Sequence, residues 1–331
     1  MQSSARSRWR RMARWLVGLG VAGLSFWLLV RDVDWAGVQE AIGSAEYGWV
    51  IAAGLVIVAT MFTRGRRWQA LLWQSPVGFR PVVTALLVGQ VVNMALPMRS
   101  GDVVRAVWIG PEQRTGPVKA LGSIAVEKVW DLLALLVCGV LLLAWMPLPE
   151  WFTRSTWGTG LMLVAGGGLL WAVLRWQGVL FHWAGRVLAR LPAGWDEALL
   201  PRLRRLADGL ESIRRPDSSA WALFWTGCTW ALGALANLAV LAAFGIPSPV
   251  ASLFLLAALM AGAAVPTPAG LGIFEAICVL TLNGLFELTS YERALAVGLV
   301  LHLVVMGPPL VGAAVLAFWS GRRGGSGDEP G

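Results

Sequence analysis

Glu127, Lys128 and Asp131 interrupt an otherwise apolar run that continues through Leu132, Leu133, Leu135, Leu136 and Val137. Counted from Lys119 at about 1.5 Å per residue, Glu127 lies about 12 Å and Asp131 about 18 Å along the segment. In a hydrocarbon core about 30 Å thick, that is near the middle. Each such charge costs at least about 2.5 kcal/mol on insertion scales. Glu127 and Asp131 are four apart and share one helical face; Lys128 and Asp131 are three apart and can pair. A self-neutralised pair that fixes helix packing is one reading. A functional acid facing a cavity is the preferred one, because cheaper polar groups can fix packing.

Two further clusters carry chemistry-bearing residues. The first holds Asn93, Arg99, Asp102 and Arg105 around Pro97 and Gly101. Asp102 is placed to cap a following helix. Arg99 and Arg105 stand at the mouth of the break, and a guanidinium fork suits phosphate because it can bind two oxygens at once. The bland alternative is that both arginines snorkel at a membrane edge. The second cluster breaks the apolar stretch 250–285 with Pro266, Pro268, Gly270 and Gly272, followed by Glu275. Such a run cannot continue a helix. In a bilayer, broken backbone persists only where protein or a water-filled cavity satisfies it. The half-helix after Gly270 would aim its N–H groups and positive dipole inward, as an anion site does. Glu275 could then counter a cation such as Arg99, or carry a proton. A kink without a ligand is the alternative. Arg64 and Arg67 read as interface anchors, and His182 and His302 lie far from the clusters in sequence.

These residues must be positioned by membrane helices. The chain has 331 residues, 57% of them hydrophobic and 14% charged, against about 25% charged in soluble domains. Tryptophans at segment ends (Trp15, Trp49, Trp145, Trp151, Trp319) suit an aromatic belt. The net charge of +8 does not indicate nucleic acid, because the arginines flank apolar segments and suit an anionic lipid surface. Cys138, Cys228 and Cys278 fall inside apolar stretches, so neither a disulfide framework nor a metal site is expected. The first apolar segment lacks a convincing cleavage site and reads as a retained helix.

The apolar stretches are 15–30, 49–63, 82–96, 118–145, 159–174, 220–244, 250–285 and 291–319. If the third and the broken stretch are re-entrant, twenty-three of the twenty-seven Arg and Lys residues face the cytoplasm. If the third crosses fully, twelve of them move outside. The positive-inside rule favours the first arrangement. The expected fold is therefore an all-α polytopic bundle of about six full crossings plus two re-entrant hairpins, about eight membrane segments, with both termini cytoplasmic. The two breaks share a Pro and a Gly four apart, as a degenerate inverted repeat would; coincidence fits a two-residue match equally well. The expected organisation is a basic cytoplasmic N-terminus (1–14), a transmembrane domain (15–320) and a disordered tail (321–331). Within it, 176–219 is cytoplasmic and amphipathic, with Leu199, Leu203, Leu206, Leu210 and Ile213 on one face. It either lies on the inner leaflet or packs on the membrane domain.

Taken in order, the motifs resemble one family. They are Asn-x3-Pro-x-Arg-x-Gly-Asp-x2-Arg (Asn93 to Arg105), Glu-Lys-x2-Asp (Glu127 to Asp131) and Pro-x-Pro-x-Gly-x-Gly-x2-Glu (Pro266 to Glu275). This pattern resembles the flippase-like membrane domain of lysylphosphatidylglycerol synthases, also found as stand-alone membrane proteins. The Arg64-x-Arg66-Arg67-Trp68 run fits its second helix, and the resemblance covers about residues 10–320. Ala269 departs from it, since a second glycine is usual there. The resemblance implies movement of a lipid across the bilayer. It does not imply lysyl transfer here, because no segment after Trp319 could fold into a synthase domain.

The expected function is translocation of a lipid with an anionic or zwitterionic phosphate headgroup, or of a polyprenyl-linked lipid, in the bacterial inner membrane. No cofactor or metal is called for. A lipid-modifying transferase is one rival, with Asp102, Glu127 and Asp131 recast around a metal. A non-transporting scaffold for a separately encoded lipid-synthesis enzyme is another. No nucleotide-binding loop is present, so direct ATP use is not expected.

Overall fold

The computed structural model describes residues 31–73, 77–96, 100–112, 116–145, 150–176, 195–263 and 267–324, with Val265 and isolated positions before 31 and between 182 and 186. Among these residues every regular element is helical, as expected for a membrane bundle. In chain order they are α1 (Trp35–Gly43), α2 (Tyr47–Leu71), α3 (Phe79–Ala95), α4 (Gly101–Glu112), α5 (Pro117–Trp145), α6 (Glu150–Arg175), α7 (Trp195–Leu210), α8 (Pro216–Ala243), α9 (Pro249–Gly262), α10 (Ile273–Val279) and α11 (Tyr291–Gly324). Local chemistry sets several starts. The Asp34 carboxylate accepts the Ala36 N–H ahead of α1. Ser248 Oγ accepts the Ala251 N–H ahead of α9, where Pro249 fits the first turn at no hydrogen-bond cost.

Among the described residues, four helices are long and apolar enough to cross a bilayer: α2, α5, α8 and residues Tyr291–Leu316 of α11. Their outward faces are apolar. Leu55 on α2 and Leu303 on α11 are 66% and 72% exposed. A soluble protein does not leave such continuous apolar surface in water. The chain is a multi-pass membrane protein. The expected crossing at 15–30 and the basic N-terminus 1–14 lie outside the described residues, apart from isolated positions. Helix α11 runs to Gly324, past the expected boundary at 320, and 325–331 lie outside the description.

The apolar stretch 250–285 is broken where its prolines and glycines require. Helix α9 ends at Gly262, and a short 3-10 turn spans Pro268–Gly270. Helix α10 then begins at Ile273 and widens into a π turn at Leu280–Leu285. Gly270 and Gly272 take positive φ values of 78° and 79°, and so does Ala269, at 52°. A β-carbon makes that left-handed conformation cost roughly 1–2 kcal/mol, so something must hold Ala269 there.

Contacts divide the chain into two interleaved units. One comprises 1–60, 87–101 and 231–331, and its core gathers Ile57, Leu241, Phe244, Leu255, Leu282 and Leu301. The other comprises 61–86 and 102–230, and its core gathers Trp68, Leu72, Leu86, Ile109 and Ile124. Within the second unit, α7 packs on α5 backbone to backbone. A Cβ at Gly209 would overlap the Lys119 carbonyl oxygen, and one at Gly122 would press on Leu206 and Gly209. Of the two placements open for the amphipathic segment, the structure takes packing on a membrane helix.

Gly209→Val should therefore lower stability by roughly 1–3 kcal/mol through overpacking. Gly227→Ala, where a Cβ meets nothing within 4 Å, should not. Thermal unfolding in detergent, followed by tryptophan fluorescence, checks this. Equal midpoints for both variants would remove the close contact.

Candidate functional site

In the second unit a charged network lies inside the helices. Arg67, on the last turns of α2, sends one guanidinium nitrogen to Asp131 Oδ1 at 2.6 Å and the other to Glu127 Oε1 at 2.9 Å. One planar fork thus bridges the two acids that helical spacing puts on one face of α5. Arg67 and Glu127 are each 2% exposed. Arg105, on α4 and equally buried, reaches Glu127 Oε2 at 3.2 Å and Asp102 Oδ1 at 3.3 Å. Its guanidinium stacks 4.9 Å over Trp68, whose Nε1–H donates to Ser123 Oγ. Asp102 Oδ2 also meets the half-exposed Lys128 Nζ at 3.3 Å. Trp230 Nε1 approaches Asp131 at 3.5 Å. Arg64 lies close enough to Glu127, Asp131, Arg67 and Arg105 to act on them electrostatically.

Burying an ion costs several kcal/mol, and attraction returns it only with good geometry and full pairing. Here the bidentate fork meets the first need. The second is met less well at Arg105, whose Nε and Nη2 lie at salt-bridge distance from carboxylates without hydrogen-bond geometry.

In the first unit, two smaller arrangements serve the chain breaks. Asn93 Oδ1 accepts the Gly101 N–H at 2.7 Å, at the start of α4. Gly101 sits so close to α3 that a Cβ would overlap the Gly89 carbonyl oxygen. At the second break, Glu275 Oε2 accepts the Gly272 N–H at 2.8 Å, while Oε1 lies 2.6 Å from His302 Nδ1. His302 Nε2 lies 3.1 Å from the Ala269 carbonyl oxygen, and Phe274 stacks on the ring at 4.6 Å. Glu275 is 1% exposed and His302 8%.

Several expectations change. Asp131 pairs with Arg67, not with Lys128, because the Arg67 fork approaches from α2 while Lys128 turns to Asp102. Asp102 lies in the first turn of α4 and holds Arg105 and Lys128; the side chain at that helix start is Asn93. Arg67 is no interface anchor but the centre of the network. The sequence carries its signal: Thr60, Thr63, Arg64 and Arg67 follow helical spacing on one stripe of α2, and Arg66, off that stripe, is exposed. His302, distant in sequence, is the partner of Glu275. A lone histidine midway along an apolar helix is itself a signal, since it needs a buried partner. Gly270 lies in the turn beside Ala269, and Pro268 opens that turn. Arg99, Pro97 and Pro266 lie outside the described residues.

Arg67→Met should destabilise the protein by roughly 3–5 kcal/mol, because two buried acids lose their shared partner. Adding Asp131→Asn should recover part of that loss, since Glu127 keeps Arg105. Denaturant unfolding in detergent measures both. An Arg67→Met midpoint equal to that of the parent would mean that the fork holds nothing together.

A stretch of 138 residues is 29% identical to part of the glycosyltransferase AglD of Haloferax volcanii, spanning 40% of this chain and 22% of that protein. The chain therefore covers only about a fifth of that relative. The family description "lysylphosphatidylglycerol synthase TM region" matches residues 15–313, nearly the whole chain. Both motif-bearing networks fall inside that match, and the chain belongs to the lysylphosphatidylglycerol synthase transmembrane-region family.

Proposed function

We propose that this chain moves a lipid with a phosphate-containing or polyprenyl-linked headgroup across the bacterial cytoplasmic membrane. In this reading six helices cross fully, the elements at the two breaks re-enter as hairpins, and both termini are cytoplasmic. The observation that carries it is the buried network around Arg67, Arg105, Glu127 and Asp131, in which Arg105 meets its carboxylates at salt-bridge distance without hydrogen-bond geometry. A guanidinium held by one anion without hydrogen-bond geometry can exchange it for another, and a phosphate headgroup offers that second anion.

Arg105 is the residue that receives the phosphate in this proposal, and Arg99, six residues earlier in the sequence, is its second basic contact. Arg105 faces Glu127 at salt-bridge distance but without hydrogen-bond geometry, so a phosphate oxygen can replace a carboxylate oxygen with little loss. Exchange of one anion for another keeps each buried guanidinium paired throughout, avoiding the several kcal/mol of an uncompensated charge. Asn93 and Asp102 hold the mouth of the path. Glu127 and Asp131 balance charge as the headgroup passes. Pro268, Gly270 and Gly272 provide unwound backbone on the other route, Pro266 precedes it in the sequence, and Glu275 gates it.

The likeness to part of a glycosyltransferase favours one second reading. In it the chain is the membrane partner of a separately encoded enzyme that modifies a lipid carrier, and the network holds that carrier without moving it.

Purified protein in liposomes separates the two. Fluorescent glycerophospholipid and polyprenyl phosphate are placed in both leaflets, and outer-leaflet label is quenched over time. The translocase reading expects protein-dependent loss of inner-leaflet label for one class. Arg105→Gln should slow it roughly tenfold or more through loss of a charge-assisted contact, in protein that a cooperative unfolding transition shows to be folded. Glu275→Gln should abolish it likewise. Rates equal to protein-free liposomes for both lipids, with one of them still co-purifying specifically, would favour the carrier-holding reading.

A further inference from the structure

The ring of His302 faces two acceptors. A backbone carbonyl cannot donate, so the 3.1 Å contact with Ala269 requires a proton on Nε2. The 2.6 Å contact with Glu275 requires one more proton, on Nδ1 or on the carboxyl oxygen. The other oxygen of Glu275 is already filled by the Gly272 N–H. The pair as built therefore holds two acidic protons and no net charge, whichever side of the short contact holds the second.

Removing one proton leaves the arrangement unable to keep both bonds. If the remaining proton stays on Nε2, two lone pairs face each other at the Glu275 contact. If it sits on Nδ1, the carboxylate keeps its donor and the Ala269 carbonyl loses its own. A charge-assisted bond is roughly twice as strong as a neutral one, so the second tautomer prevails. The bond lost is then the one that restrains the left-handed Ala269.

We propose that Glu275 and His302 form a single-proton site whose occupancy holds the 267–272 break in its observed turn and whose loss releases that turn. The proton passes to water on release and returns from water on closure; no bond other than the two hydrogen bonds changes. Joined to lipid movement, this supplies a proton requirement for opening the path, and that use rests on the translocase reading above.

The surroundings leave the pair to titrate as a unit. On α10 the facing group is the Cys278 thiol, packed against Gly298. Helix α9 carries no titratable side chain, nor does the π turn; Glu287 beyond it is exposed. On α11, Tyr291, Glu292 and Arg293 lie nine or more residues before His302. On α1, Glu40 is exposed and lies one turn beyond Gly37, which packs on Glu292. Of the first-unit segments of α2, α3 and α8, only α2 adds a titratable group, Tyr47, whose hydroxyl donates to Ile42.

The chain has two histidines, so His182→Gln leaves His302 as the sole signal in nitrogen NMR of labelled protein in lipid nanodiscs. Between about pH 5 and pH 10, Nε2 should lose its proton and Nδ1 keep one, the reverse of the preference of free histidine. Over the same step, amide exchange at 267–272, corrected for its intrinsic pH dependence, should rise roughly tenfold or more. Glu275→Gln should abolish the step and keep exchange slow, because a glutamine amide donates to Nδ1 and its oxygen accepts from Gly272, as the protonated acid does. His302→Ala should exchange fast throughout. The proposal is overturned by an Nε2 that stays protonated, by exchange that ignores pH, or by a Glu275→Gln protein that titrates like the parent. None of these readouts needs lipid movement. A clear step in a protein that moves no lipid would remove the translocase reading and leave the proton site; lipid movement with a pH-independent break would do the reverse.

Discussion

The bidentate contact of Arg67 with Glu127 and Asp131 is the constraint on which the second unit depends. Two carboxylates four residues apart on an apolar helix repel each other and lack water. A single guanidinium solves both problems, since the two acid side chains converge on it and each of its two terminal nitrogens donates to one of them. The rest follows from that choice. Helix α2 must bring its polar stripe against α5, so Trp68 is buried and its indole N–H finds Ser123. Glu127 has a second oxygen to satisfy, which draws in Arg105 and, through Asp102, Lys128. Lysine in place of Arg67 would supply the charge without the fork and could not serve both acids equally.

The two chain breaks are stabilised by different means, each within the first unit. At the start of α4 the device is steric and local: Asn93 accepts one backbone N–H, and Gly101 admits the α3 backbone at a distance no side chain allows. At the start of α10 it is a buried pair of titratable groups. Glu275 occupies the Gly272 N–H that an external anion would otherwise find there, and His302 ties the acid to the strained Ala269. Backbone strain persists only where surrounding contacts over-determine it, and here one imidazole provides that restraint. The π turn a few residues on follows the same pattern of irregular helix beside polar groups.

These arrangements invert the plan of a soluble protein. Large apolar side chains on α2, α5, α6 and α11 face outward, and the ion pairs sit inside. Hydrophobic burial between helices is therefore weak as a driving force, since lipid tails are as apolar as leucine. Close backbone approach and polar contacts take its place. Gly122 against Gly209, and the hydroxyls of Thr63 and Thr229 at 2.8 Å, are instances of each within the second unit.

Membrane class, helical fold and the positions of both breaks were written in the sequence, because they depend on local properties: apolar run length, proline and glycine chemistry, and charge spacing along one helix. Family membership was legible for the same reason, since its motifs are short and in order. The pairing of Glu127 with Asp131 on one face needed only helix geometry. Their partners did not follow from it. Arg67 lies sixty residues before Glu127, and His302 twenty-seven after Glu275. Which of several arginines turns inward depends on how α2 is rotated against α5, a property of packing that no local pattern encodes. Lys128 and Asp131, three apart, can meet on one helix, but the stronger fork of Arg67 arrives from another helix and Lys128 turns to Asp102. The sequence by itself determined that the acids of α5 had to be buried; tertiary structure alone decided which cation each would meet, because pairing in a low dielectric is settled by distance and direction in space.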